Sequence, residues 1–144
     1  KIVLILSFVK KPEEVELLRK KIDNDRFILV SKIESVNSKQ DLSNIIAKSD
    51  GILLARGDMA IYMSQFDPLK VCRQIQKEIQ GKRFFGATDI LINLEKSMLP
   101  TRAEMMDFFL LKELGCTDIV LPNFISNPQR FYNYIKDNKK KNWM

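Results

Sequence analysis

The sequence predicts an α/β domain built on a parallel sheet, and three observations carry that expectation. One pattern recurs five times along the 144 residues: a short apolar run, a few polar residues, then a stretch with helical apolar spacing. Each return from one apolar run to the next passes through a helix-length segment, the connection that parallel neighbours need. Composition agrees, because 45% hydrophobic with 29% charged residues is enough to bury one core and keep a charged surface. Alternation of this kind lays helices over a parallel sheet. Five units are too few to close an eight-stranded barrel.

The strands are expected at residues 2–7, 27–32, 51–55, 83–87 and 118–121. Pro12 opens the first helix at a position where its missing N–H costs nothing, with Glu13 and Glu14 at the positive end of the dipole. Ser38 caps a second helix running to Lys48. A third spans about residues 68–80 and is ended by Gly81. Thr101 and Glu104 form a capping-box pair that opens a helix to about Leu114, stopped by Gly115. A last helix covers roughly residues 128–136. The chain is thus expected to form one domain over residues 1–136, followed by a basic tail at 137–144.

No apolar run reaches the roughly 18 residues that a membrane-crossing helix needs, so no membrane role is expected. The opening apolar run lacks a cleavage pattern and reads as a buried strand. The chain starts without methionine and is expected to be a piece of something longer. Two cysteines, Cys72 and Cys116, and no histidine argue against a zinc site, a disulfide scaffold and histidine-dependent nucleophilic catalysis. A reducing, cytoplasmic compartment is expected, with an organelle as the alternative. The net charge of +6 comes from dispersed lysines apart from the terminal run, which suits an anionic small substrate better than nucleic acid.

Chemistry concentrates in two blocks, Ser31-Lys32-Ile33-Glu34 and Asp50-Gly51-Ile52-Leu53-Leu54-Ala55-Arg56-Gly57-Asp58. Lys32 and Glu34 are two apart on a strand and share a face, which in a barrel can be the interior. Asp58 follows the next strand, about 5 Å to the side by ordinary strand spacing. Two carboxylates that close need a positive charge between them. A divalent ion, Mg²⁺ or Mn²⁺ by the all-oxygen donor set, is the expected one, with Lys32 beside it. An exposed ion pair is the plain alternative for Lys32 and Glu34, and an adhesion loop for Arg56-Gly57-Asp58. Met105, Met106, Phe108 and Phe109 read as helix packing.

These blocks, with Ser7-Phe8-Val9, Gly86-Ala87-Thr88 and Pro100-Thr101-Arg102-Ala103-Glu104, resemble the pyruvate kinase family in order and spacing. The resemblance covers nearly the whole chain and implies a partial (β/α)8 TIM barrel, strands four to eight of the family's catalytic domain. It implies phosphoryl transfer from phosphoenolpyruvate to ADP, giving pyruvate and ATP in glycolysis, once the missing half of the barrel is supplied. Glu34 and Asp58 would ligate Mg²⁺ (or Mn²⁺). Lys32 would stabilise the enolate oxygen and the phosphoryl group. Ala55, Arg56 and Gly57, whose backbone would meet the substrate carboxylate, complete the substrate site with Asp58 and with Thr88, the hydroxyl near the carbon that gains a proton. K⁺ is implied too, but its ligands belong to the strands absent from this chain. An oligomer is expected, because the family's Thr101–Glu104 region lies near a subunit contact.

Departures from the family pattern bear on activity. Asp89 stands where an amide is usual, as a metal ligand or a helix cap, and Ile92 replaces a carboxylate. Pro122-Asn123-Phe124 replaces the expected Ser-Gly-Glu, and Ala60 and Tyr62 replace a glycine and a glutamate. The chain alone is expected to be inactive. The rival expectation is a degenerate, non-catalytic kinase-like subunit, and a metal-dependent lyase of the wider pyruvate-binding barrel group is a more distant one.

Overall fold

The computed structural model describes residues 1–64 and 67–140, with side chains through residue 137. Five strands, β1 (Ile2–Leu6), β2 (Phe27–Ile33), β3 (Gly51–Ala55), β4 (Arg83–Ala87) and β5 (Asp118–Ile119), form one parallel sheet in sequence order. The helices are α1 (Pro12–Arg19), α2 (Lys39–Lys48), α3 (Arg56–Tyr62), α4 (Asp67–Glu78), α5 (Arg102–Glu113) and α6 (Pro128–Lys140), with a 3₁₀ turn at Ile92–Glu95. The fold is a partial (β/α)8 barrel. The outer edges of β1 and β5 carry no strand among the described residues.

Period-2 alternation divides the sheet into two faces. Leu29, Ile33, Ile52, Leu54 and Phe84 join the large core beneath the helices, with Val15, Leu42, Ile45, Ile75 and Leu111 from the helical side. Val30, Leu53, Ala55 and Phe85 form a smaller cluster on the opposite face, the one a closed barrel would enclose. Lys32 lies two residues beyond Val30 and takes the same face.

The ends of β1, β2 and α4 shift by one or two residues from expectation, and three further departures have a clear physical reason. β5 ends at Ile119 rather than at residue 121, because it has one neighbour only and Pro122 has no N–H to extend the ladder. α6 runs to Lys140, past the expected end at 136, since nothing from Lys136 to Lys140 breaks a helix. Residues 137–140 of the expected tail therefore continue that helix, and residues 141–144 lie outside the described residues. Arg56 to Tyr62 is a helix absent from the elements expected from the sequence. Gly57 disguises it in the sequence, but Met59 is fully buried and anchors it.

The Asp50-Gly51 start of the second block, with Ser49 just before it, is wiring rather than chemistry. Ser49 Oγ donates to Ile45 O at 2.7 Å, which leaves the buried Ser31 hydroxyl to donate to Ser49 Oγ at 2.7 Å. Asp50 Oδ2 accepts from Leu29 N at 2.7 Å and from Arg19 Nη1 at 2.9 Å. A Cβ on Gly51 would stand 2.7 Å from Arg83 O, so only glycine lets β3 and β4 meet there.

Burial works to raise the Asp50 pKa, but Arg19 and the Leu29 amide outweigh it and hold the carboxyl below its ordinary 3.8. A lowered folded pKa means that the unfolded chain binds the proton first, so the contribution is present above pH 3.8 and fades as pH falls through the folded value. Because Asp50 is 41% exposed, screening limits the effect. We expect Asp50→Asn to cost about 1 kcal/mol at neutral pH, with the difference in Tm closing progressively as pH falls below 3.8, read by thermal melts across that range.

Candidate active site

Each site residue expected from the sequence falls at the carboxyl end of β2, β3 or β4. The register aligns Ile33 with Leu54 and Ala55 with Ala87, so the residues just past these strands start level with one another. Glu34 follows β2, Arg56 to Asp58 form the first turn of α3, and Thr88 follows β4. Short parallel strands in register thus bring distant stretches of sequence to one rim.

Lys32, Glu34 and Asp58 converge. Lys32 Nζ donates to Asp58 Oδ2 at 3.1 Å and lies 2.9 Å from Glu34 Oε1. In this structure the positive charge between the carboxylates is the lysine itself, where a divalent ion with Lys32 beside it was expected. Burial opposes its charged form, but the pull of Glu34 and Asp58 outweighs that and raises its pKa above the ordinary 10.5. Lys32 is therefore an ammonium throughout the physiological range.

Glu34 is only 1% exposed, which removes the reading of an exposed ion pair. Its Oε2 accepts from Phe8 N at 3.0 Å. Its Oε1 is buried and, although close to Lys32, is not aligned for a hydrogen bond with any donor. An oxygen paired by charge but met by no aligned N–H keeps a lone pair open to a further cation. Two carboxylates against one ammonium leave the cluster at −1, a charge that repels an anionic substrate. A divalent ion would turn it to +1. One or two carboxylates supplemented by substrate oxygens and water is the usual donor set for Mg²⁺, so these residues fit such an ion. Among the described residues, no group of three or more His, Cys, Asp or Glu side chains gathers anywhere, this site included, so a divalent ion here would take its remaining ligands from substrate and water.

Thr88 sits at the other side of α3. Gly57 N donates to Thr88 Oγ1 at 3.3 Å, and a Cβ on Gly57 would lie 2.8 Å from Thr88 Cγ2. Glycine here admits the threonine. Thr88, Asp89 and Leu91 all have positive φ, at 73°, 54° and 54°. The Arg56 side chain turns away from Lys32: Nε donates to Ala87 O at 2.9 Å, Nη2 to Thr88 O and Nη1 to Asp107. An adhesion loop would present that side chain freely, and this one is engaged three times. Asp89 is exposed and makes no hydrogen bond or ion pair among the described residues; Leu91, not Asp89, occupies the cap position of the 3₁₀ turn.

Residues the sequence reading missed include Phe8 in its site role, Tyr62 and Asp107. The Phe8 ring lies 5.9 Å from Lys32 Nζ and packs edge-on against Tyr62 at 6.1 Å. Phe8 has φ of 56°, a backbone conformation that turns its N–H toward Glu34. The signal for Tyr62 was its place one helical turn beyond Asp58. For Asp107, inside a helix of mixed composition, no local signal existed. Burial pushes the Cys116 thiol up to about 12 and also raises Cys72, so neither is a thiolate nucleophile at neutral pH.

The family model described as the barrel domain of pyruvate kinase matches residues 2–121. The chain belongs to the pyruvate kinase family. It is 37% identical over 110 residues to a pyruvate kinase of Methylorubrum extorquens, covering 72% of this chain and 22% of that protein. The pyruvate kinase of Thermotoga maritima is 36% identical over 110 residues, with 71% and 23% covered. A crystal structure of a pyruvate kinase from Cryptosporidium parvum superposes with a TM-score of 0.73 at 28% identity, over 84% of this chain and 27% of that one. The chain thus spans less than a quarter of the curated relatives' length. The pyruvate kinase match includes β1 through β5 and ends before α6.

Proposed function

We propose that this chain carries the metal- and enolate-handling part of a pyruvate kinase active site, and that with the rest of the barrel it transfers the phosphoryl group of phosphoenolpyruvate to ADP. The observation that supports this most is the Lys32 ammonium held between a buried Glu34 and a half-exposed Asp58. Glu34 and Asp58 are the residues that would hold Mg²⁺ or Mn²⁺. Once bound, the ion would neutralise charge on substrate oxygens. Lys32 supplies a fixed cation for the phosphoryl oxygens in transit and for the enolate oxygen left behind.

The Arg56 N–H at the first turn of α3, after Ala55, would receive the substrate carboxylate, and the Gly57 N–H, which donates to Thr88 Oγ1, would join it by exchanging that acceptor. Thr88, held against that turn, would stand near the carbon that takes a proton. K⁺ and the nucleotide are assigned to parts outside this chain, and no step here depends on them. The intact protein, given Mg²⁺, K⁺, phosphoenolpyruvate and ADP, is expected to form pyruvate in a coupled assay. If it forms none while folded, the catalytic reading is wrong.

A second reading has one observation in its favour. The departures at Asp89, Ile92 and Pro122-Asn123-Phe124 suit a degenerate kinase-like subunit that serves by binding a partner. A folded, oligomeric protein without turnover in the same assay would select it. Either reading leaves cytoplasmic or organellar placement as a separate proposal, to be read from fractionation.

A further inference from the structure

Arg56 belongs to the block that the sequence associates with substrate, yet its guanidinium faces elsewhere. It donates to two consecutive carbonyls, Ala87 O and Thr88 O, and its third arm meets Asp107 of α5. Those carbonyls lie where β4 ends and the backbone enters the left-handed region at Thr88, with φ of 73°. A β-branched residue rarely adopts that conformation, and it persists only where the surroundings hold it. Here the hold comes from two adjacent residues. Gly57 takes the Thr88 hydroxyl through its N–H, and Arg56 takes the Thr88 carbonyl.

We propose that Arg56, anchored by Asp107, is a positioning residue that keeps Thr88 in its left-handed conformation with the hydroxyl on the substrate rim. The inference deepens the reading given under Proposed function and rests on it. Arg56 and Asp107 cancel in charge, so the pair orders the rim without adding charge to the −1 cluster at Lys32. Three acceptors in three directions need the planar fork of a guanidinium. A lysine offers one point charge and cannot reach all of them.

The step it serves is proton delivery. The electron pair of the enolate C2–C3 double bond forms the new C3–H bond, the C2 oxygen becomes the ketone, and the proton leaves the Thr88 hydroxyl and is replaced from water. Run in reverse, the same route exchanges pyruvate methyl protons with solvent.

The test uses the intact protein with Mg²⁺ and K⁺, and measures deuterium uptake into the pyruvate methyl group by proton NMR beside kcat and KM for phosphoenolpyruvate. Arg56→Lys is expected to slow exchange about 100-fold, and Asp107→Asn about tenfold, with KM kept within about threefold. Combining Arg56→Lys with Thr88→Val should be no slower than Thr88→Val alone, because the arginine acts through the threonine. Wild-type exchange in both single variants, additive losses in the double variant, or a tenfold rise in KM with exchange intact overturns the proposal while leaving the kinase reading in place. An intact protein that neither forms pyruvate nor exchanges methyl protons overturns both. If Arg56→Lys does not fold, Asp107→Asn and its combination with Thr88→Val decide the matter by the same readouts.

Discussion

Replacing Lys32 with methionine should lower kcat of the intact protein by about 10³-fold or more, the loss associated with removing a cation that stabilises a phosphoryl group in transit. Methionine keeps the length and the apolar stem of lysine and deletes the charge, so the packing beneath the Phe8 ring survives. The deletion has a second consequence. Glu34 stays buried with only the Phe8 N–H on one of its oxygens, facing Asp58 with no cation between them. Removing one member of a buried ion pair costs about 3–5 kcal/mol, and the partial exposure of Lys32 and Asp58 reduces that to about 1–3 kcal/mol here.

A divalent ion would then replace the missing charge. Mg²⁺ is expected to raise the Tm of Lys32→Met more than that of the wild-type protein, as any ligand favouring the folded state does. Thermal melts with and without Mg²⁺ test this separately from activity. Unchanged kcat in the variant would remove Lys32 from the chemistry. The raised lysine pKa adds a check on sign: its contribution to stability is complete below the ordinary 10.5 and is lost as pH rises through the higher folded value. Lysine deprotonation therefore causes no fall in activity between neutral pH and about pH 10.

Gly57→Ala is expected to be the more selective lesion. Alanine is favoured over glycine in a helix by about 1 kcal/mol, and Gly57 lies in the first turn of α3. Against that gain, the new Cβ would sit 2.8 Å from Thr88 Cγ2 and 3.3 Å from Thr88 Oγ1. The Thr88 backbone cannot back away, because Arg56 holds its carbonyl, so its side chain must rotate and carry the hydroxyl out of place. Stability should change by less than about 1 kcal/mol, while kcat should fall about 100-fold from misplacement of the hydroxyl. Adding Thr88→Ser removes the clashing methyl and keeps the hydroxyl, so the double variant should recover most of the loss. Initial rates for the two variants, with matched melts, decide between misplacement and general damage.

The same collision shows how far the sequence could be read. The bounds of β3 and β4, the start of α1 at Pro12 and the Thr101–Glu104 capping box all agree with expectation, because each depends on residues within a few positions of one another. Helix packing of the methionine and phenylalanine pairs held in part. Phe108 packs against the core, whereas Met106 and Phe109 face outward at 64% and 41% exposure. Apolar residues on both sides of α5 hide which side is inner.

By itself the sequence determined the alternation of strands and helices, the family, and the stretches that end at one rim of the sheet, since period-2 and period-3.6 patterns and short motifs are local properties. Tertiary structure alone decided that Lys32 stands between Glu34 and Asp58, that the Phe8 N–H supports Glu34, and that Arg56 reaches Asp107, 51 residues away. Those outcomes depend on strand register, on the left-handed backbone at Phe8 and Thr88, and on which acceptors come within reach of a long side chain. Each is set by packing between segments, which neighbours along the chain do not encode.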